Sequence, residues 1–302
     1  MQRDANKILL LVAGMIAVLA TAAITRSFPH VPPPQSENGS QLAGAAAVVG
    51  STFRYVFNSP GTLNEAGSMN DSTSPYWWLN SGGELVLQSG LGETMQGTAS
   101  LLNKWRLAYA LTNPLDTDGG AHPQNLFRLV SRSTWNNYVE SAQFYIVKDN
   151  FSSSPNRNQS NGLLLFNRYT GDGQTLYYAG LRVDGTAVIK KKINGIYYTM
   201  AQKQIFPGTY AINAATSTQS EDLLPDGEWI GIKDQVVTNA NGSVTITLWM
   251  QLPGGAWQQL LQTTDAGGTN VGGTPPITGA HYIGIRTDFM DVQFKNFSAQ
   301  AL

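Results

Sequence analysis

The segment Leu176 to Gln202 (LYYAGLRVDGTAVIKKKINGIYYTMAQ) holds the densest set of groups able to do chemistry in this 302-residue chain. Tyr178, Tyr198, Arg182, Lys191 and Gln202 supply two phenols, a guanidinium, an ammonium and an amide. Phenols pass protons and lay flat rings against sugar rings, while the cations and the amide meet hydroxyls and carboxylates. Two tight-turn signals, Asp184-Gly185 and Asn194-Gly195, are spaced for a three-stranded meander. If both are two-residue turns, Val183 faces Thr186 and Ile193 faces Ile196. That register predicts a row of Tyr178, Lys191 and Tyr198 on one face, beside Gly180, Ile189 and Met200, then Arg182 with Gln202. The opposite face carries Ala179, Leu181, Val183, Val188 and Ala201 and is the more aliphatic, so it is assigned to the core. Two readings of the polar face stay open: a saccharide-binding surface, or a solvated sheet face on which strand propensity alone places tyrosines.

Other chemistry-bearing residues lie apart from this segment. Arg132, or His122 in its Gly-Gly-Ala-His-Pro loop, is a candidate to join the polar face from another strand or loop. Asp116-Thr117-Asp118-Gly119 has the opening of a calcium loop without the later ligands, and is read as a turn. In Tyr76-Trp77-Trp78, neighbouring strand residues point to opposite faces, so one ring is expected in the core and the other exposed as a sugar platform. Trp229 and Trp249 are expected in the core.

Such groups need elements to position them. From Thr52 onward the hydrophobic period is two. Val244 to Met250 alternates polar and apolar, Trp229 to Lys233 and Tyr282 to Arg286 read as short strands, and Asp291 to Phe297 as another. Asn-Gly, Asp-Gly and Gly-Gly pairs punctuate the chain as hairpin turns do. Only Thr98 to Leu111 has room for a helix. The pattern predicts an all-β fold, an antiparallel two-sheet β-sandwich of the jelly-roll type.

At the amino terminus, Arg3 and Lys7 precede an apolar run, Ile8 to Ile24, with Ala20-Thr21-Ala22 offering a cleavage site. The run is also just long enough to span a bilayer, so a cleaved signal and a retained anchor both stand. The expected organisation is a signal or anchor over 1–25, a Pro/Gly/Ala-rich linker over 26–51 and a jelly-roll domain over 52–302. The domain is expected outside the cell or on its surface, touching the membrane only through the amino-terminal segment. Sequons at Asn38, Asn70, Asn150, Asn158, Asn241 and Asn296 are acceptors if the host glycosylates exported proteins. Charged residues are 13% of the chain, and the net charge is −1 with the basic residues scattered, which argues against a nucleic-acid partner. With no cysteine, disulfides, thiolate catalysis and Cys-ligated metals are excluded.

Gly227-Glu228-Trp229-Ile230-Gly231-Ile232-Lys233 and Asn241 to Trp249 with Gly255-Ala256-Trp257 resemble the back-sheet pair and Trp-closed hairpin of the concanavalin A-like lectin/glucanase superfamily, and Gly279 to Phe297 is similar to its closing strands. The resemblance covers mainly the last third of the chain. It implies the jelly roll but no single activity, because that superfamily hosts lectins, hydrolases, lyases and adhesion modules. Its alginate- and glucuronan-type lyases line a sheet with Tyr, Lys, Arg and Gln, which implies Tyr198, Tyr178 and Arg182 as catalytic groups if this chain is a lyase. Arg132-Ser133-Thr134-Trp135 departs from their R-[ST]-E-x-R strand, and no Gln-Ile-His or Gln-Val-His occurs. The E-x-D-x-x-E strand of laminarinase-like glycosidases is absent too; a retaining glycosidase needs two carboxylates about 5 Å apart, and no strand core here places two acids on one face at i, i+2 or i+4 spacing. Asp291 lies where many of these jelly rolls hold a structural calcium, which would tie the last strand to the first; no cofactor is required for binding. Three functions follow: recognition of a polysaccharide or cell-surface glycan, β-elimination on a uronate polymer, and a non-catalytic surface or adhesion module.

Overall fold

The computed structural model describes residues 46–49, 52–213 and 218–302. The expected signal or anchor and most of the expected linker lie outside the described residues. Within the stretch read as linker, a strand β1 (Ala46–Val49) pairs with β2 (Thr52–Tyr55).

Short strands follow: β3 (Gly61–Asn64), β4 (Trp77–Ser81), β5 (Glu84–Gln88) and β6 (Leu91–Thr94). The single α-helix among the described residues, α1 (Lys104–Thr112), comes next. Its N-cap Asn103 accepts from the backbone N–H groups of Trp105 and Arg106, satisfying donors that a helix start leaves orphaned. Then come β7 (Leu126–Trp135), β8 (Tyr138–Asp149), β9 (Gly162–Tyr169), β10 (Leu176–Arg182), β11 (Thr186–Ile193) and β12 (Ile196–Gln204). A two-residue pair, β13 (Ile212–Asn213) with β14 (Thr218–Gln219), precedes β15 (Trp229–Thr238), β16 (Val244–Gln251), β17 (Gln258–Asp265), β18 (His281–Asp288) and β19 (Met290–Ala301).

These strands make the expected antiparallel sandwich. One sheet has ten strands, in the order β17-β16-β15-β8-β19-β6-β5-β3, with β2 on β19 and β1 on β2. The other has seven, in the order β12-β11-β10-β9-β18-β7-β4. Alternation along each strand fills the space between them: Tyr138, Ala142, Phe144 and Ile146 from β8 meet Leu163, Leu165, Ala179, Leu181, Ala187 and Ile189 from the facing sheet. Phe53, Tyr55, Phe57 and Phe297 surround Trp77 with ring centroids 4.8 to 6.3 Å away.

Several tryptophans differ from expectation. Neither Trp77 nor Trp78 is exposed: Trp77 sits in the main core, and Trp78 packs in a second apolar cluster on the outer face of the seven-stranded sheet, its Nε1 donating to the Ala66 carbonyl at 2.8 Å. The loop after β3 covers a ring that strand alternation alone would leave open. Conversely, Trp229 and Trp249 are half-buried, on the outer face of the ten-stranded sheet. There Lys295 Nζ lies 3.6 Å from the Trp229 ring centroid, and Lys233 Nζ 4.9 Å from that of Trp249. A cation over each ring is itself a favourable contact, so a core position is not required.

Candidate functional site

The meander forms, but with one turn different from the expected pair. Asn194 and Gly195 both take positive φ (50° and 83°), the two-residue turn that sets Ile193 opposite Ile196 as expected. At the other turn only Gly185 has positive φ (76°), and its N–H bonds to the Arg182 carbonyl at 2.9 Å. That makes a three-residue loop, and Leu181 pairs with Ala187, Tyr178 with Lys190 and Tyr177 with Lys191. A bulge at Ile189/Lys190 then shifts the far end of β12 by one residue.

One residue of slip sends side chains to the opposite face. The row of Tyr178, Lys191 and Tyr198 therefore does not assemble. Lys191 points between the sheets and is fully buried, its Nζ 2.7 Å from Asp265 Oδ2, 2.7 Å from the Pro275 carbonyl and 3.0 Å from that of Thr274. Asp265 Oδ2 also accepts from the Tyr177 hydroxyl at 2.6 Å. Tyr198, half-buried, lies against the loop at Gly272, where a Cβ would come 2.6 Å from its ring. Gln202 is exposed, paired with Val188. Arg132 donates to the Ser74 carbonyl at 2.7 Å, toward the opposite end of β7 from Arg128. His122 braces a loop: its Nδ1 is 2.9 Å from Asp118 Oδ2 and its Nε2 is 3.3 Å from Thr98 Oγ1. Arg182 is held by the Gln159 carbonyl and Asp184, each at 2.7 Å.

Tyr178 does stand at a site. The outer face of the seven-stranded sheet carries a cleft of about 420 Å³. Its floor is Arg128 from β7, Leu164 from β9, Tyr178 from β10, Val188 and Lys190 from β11, Tyr197 from β12, and Arg286 with Asp288 from β18. Asn156, Asn158, Ser160 and Asn161 form one wall, with Asp116 beside them. Asp116 is locked in place by side-chain donors, Asn113 Nδ2 at 3.1 Å and Asn156 Nδ2 at 3.0 Å among them, so it frames the loop.

The cleft has a distinct electrostatic character. Arg286 is gripped by Asp288, both carboxylate oxygens lying 2.9 Å from its Nε, and its Nη1 donates to the Tyr178 hydroxyl at 2.7 Å. Burial alone would lower the pKa of Arg286; Asp288 and the two phenols reverse this, so it stays charged. The Tyr178 and Tyr197 rings stack, with centroids 5.8 Å apart and planes 18° apart, and their hydroxyls are 3.5 Å apart. Burial pushes the Tyr178 phenol well up. Tyr197 goes the other way: burial raises it, but the Arg286 charge, the Tyr178 bond and the Lys192 charge outweigh this and bring it to about 8. Lys190 is lowered, by burial and then by the Arg182 and Arg286 charges. The cleft thus presents three cations, one neutral phenol and one phenol close to ionisation.

Asp291, the expected calcium ligand, is engaged within the chain. Its oxygens accept from the Gly97 N–H at 2.6 Å and from Gln124 Nε2 and Asn150 Nδ2, each at 2.8 Å. Three N–H donors thus hold the carboxylate between the last strand and the loops around Gly97, Gln124 and Asn150. Asn150 is buried in this network, which removes that sequon from glycosylation of the folded chain.

Arg128, Lys190, Tyr197 and Arg286 are not among the residues that the sequence pattern singles out; the signal for Lys190 and Tyr197 is the turn. Val-Asp-Gly serves a three-residue loop as well as Asp-Gly serves a two-residue one, and the longer loop puts Lys190 and Tyr178 on one face. Nothing local marks Arg128 or Arg286, which strand order brings in.

No family model matches the chain, and no curated protein matches it. Among solved structures it is similar to the carbohydrate-binding module CBM66 from Bacillus subtilis (10% identity, TM-score 0.39, covering 58% of this chain and 82% of that one). It is similar also to a β-glucanase from Bacillus licheniformis (12% identity, TM-score 0.40, 84% of this chain and 100% of that one). A third likeness is to the PL-14 alginate lyase from Aplysia kurodai (10% identity, TM-score 0.33, 80% of this chain and 98% of that one). These are likenesses of fold and nothing finer.

Proposed function

We propose that the protein binds an acidic polysaccharide, with carboxylate-bearing sugars seated in the cleft over Tyr178 and Tyr197. One observation carries this reading: Arg128, Lys190 and Arg286 converge on a stacked tyrosine pair, while the single carboxylate on the floor, Asp288, is engaged by Arg286. Aromatic faces suit pyranose rings, and cations in a partly dry cleft suit carboxylates. Asn156, Asn158 and Asn161 supply amides for hydroxyls along one wall. The export expected from the amino-terminal segment would bring this cleft to extracellular polysaccharides.

The test is calorimetric titration of the chain with alginate or glucuronan and with an uncharged glucan. Binding is expected for the acidic polymers only, weakening as salt screens the cations. Arg128→Gln and Lys190→Gln should each weaken it about tenfold, the loss of roughly one charge-assisted contact. Equal affinity for the uncharged glucan would overturn the reading.

Tyr197 favours a second reading, β-elimination. A phenol ionising at about 8 is matched to taking the C5 proton of a uronate, while a neighbouring cation holds the sugar carboxylate. The C5–H and C4–O bonds break, a C4=C5 double bond forms, and a neutral phenol such as Tyr178 hands a proton to the leaving oxygen. Near-UV absorbance of the unsaturated product should then rise with a rate that increases through about pH 8, and Tyr197→Phe should abolish it while binding persists. Binding with no absorbance change would leave the first reading standing alone.

A further inference from the structure

The helix α1 turns Trp105 and Tyr109 inward, where both are buried with Met95 and Ala99. Its other side is unusual. Leu107 and Leu111, four apart and so on one face, are 55% and 86% exposed. Leu101 and Leu102 before the helix are 72% and 90% exposed, and Leu115 after it 52%. Nearly half of the large hydrophobic side chains exposed among the described residues fall in this one short stretch. Single exposed leucines are ordinary; five in adjoining positions mark a contact surface.

We propose that this tip inserts its leucines into the interfacial layer of a lipid bilayer. Leu102 and Leu111 stand almost free of their own chain, so a rigid protein partner would need a fitted pocket for each, whereas fluid acyl chains need none. From Met95 to Leu115 there is no Asp or Glu, and Lys104 and Arg106 supply the only charges, so the stretch carries nothing that an anionic lipid surface would repel. Lys104 Nζ lies 5.1 Å from the Trp105 ring centroid, so its stem runs beside the helix with the ammonium at the edge of the apolar patch. A nine-residue helix is too short to cross the hydrocarbon, and no described helix is long and apolar enough to do so; the tip dips in and returns. The export signal or anchor expected over Ile8 to Ile24 would bring the chain to such a surface. This inference stands apart from the cleft and does not depend on what the cleft binds.

The absence of cysteine makes the test direct. The full chain carrying Leu107→Cys is labelled with a polarity-sensitive fluorophore, and Gln259→Cys on the edge strand β17 serves as the reference position. Both are mixed with vesicles of phosphatidylcholine and phosphatidylglycerol bearing brominated acyl chains. The label at 107 is expected to shift to the blue and be quenched several-fold more than the label at 259. Adding Leu102→Ser and Leu111→Ser should remove most of that difference without changing the circular dichroism spectrum. A label at 107 that stays in water while the chain co-floats with the vesicles overturns the proposal. So does shielding that grows with protein concentration in the absence of lipid, which would assign the patch to a second copy of the chain.

Discussion

Glu140 and Asp234 stand directly opposite one another on β8 and β15, both fully buried between the sheets. Neither oxygen of Glu140 has a hydrogen-bond partner, and Asp234 receives one bond, from Asn167 Nδ2 at 2.6 Å. Two like charges cannot both persist there. Burial, and then the Asp234 charge, raises Glu140 well above the usual carboxylate range; burial raises Asp234 to about 8 despite the Asn167 bond. The folded chain therefore holds protons that the unfolded chain releases near pH 4. Stability from this source is complete below that pH and is lost as pH rises to about 8. Asp222, raised to about 9 by burial and then by Asp149, acts in the same sense. The melting temperature is expected to fall from pH 5 to pH 8. Glu140→Gln should flatten that slope and raise the midpoint at pH 8, and a native midpoint that climbs over this range would contradict a protonated pair.

At the scale of elements, the meander decides which groups meet. Gly185 adopts φ of 76° and its backbone runs against the Phe206 carbonyl, so Gly185→Ala is doubly opposed. It should cost roughly 1–3 kcal/mol in urea unfolding, and it should weaken acidic-polysaccharide binding as well, because the loop sets Lys190 beside Tyr178. Loss of stability with unchanged affinity would show that the register survives. The same element shows what sequence can and cannot say. Period two in Val244 to Met250 and the pairing at Asn194-Gly195 were legible because each has one cheap solution. Asp184-Gly185 had two, differing by one residue, and that residue exchanges Lys191 for Lys190 in the site. The bulge at Ile189/Lys190 and the meeting of Arg128 with Arg286 depend on strand order, which no local pattern encodes. Trp229 and Trp249 misled for a related reason: lysines brought in by strand order lie over their rings on the outer face.

Across the whole molecule, the two sheets are joined without disulfides. Aromatic packing around Trp77 fills one region, and the Lys191–Asp265 pair spans the gap between β11 and β17 elsewhere. The ammonium meets three acceptors, so the pair is well satisfied for its depth. Removing one member strands the other, at a cost of about 3–5 kcal/mol. Lys191→Met should lower the urea midpoint accordingly; a change under about 1 kcal/mol would mean water reaches Asp265. The position of this pair has a wider effect. Strands β12 and β17 are the terminal strands of their sheets, and they lie against each other along the same side of the sandwich. No backbone hydrogen bond joins them, so both remain edge strands, and it is their side-by-side packing that hinders a passing chain from pairing with either. The buried cation thus acts as a clasp on a seam, and a protein that lost it would be prone to polymerise edge to edge well before it unfolded.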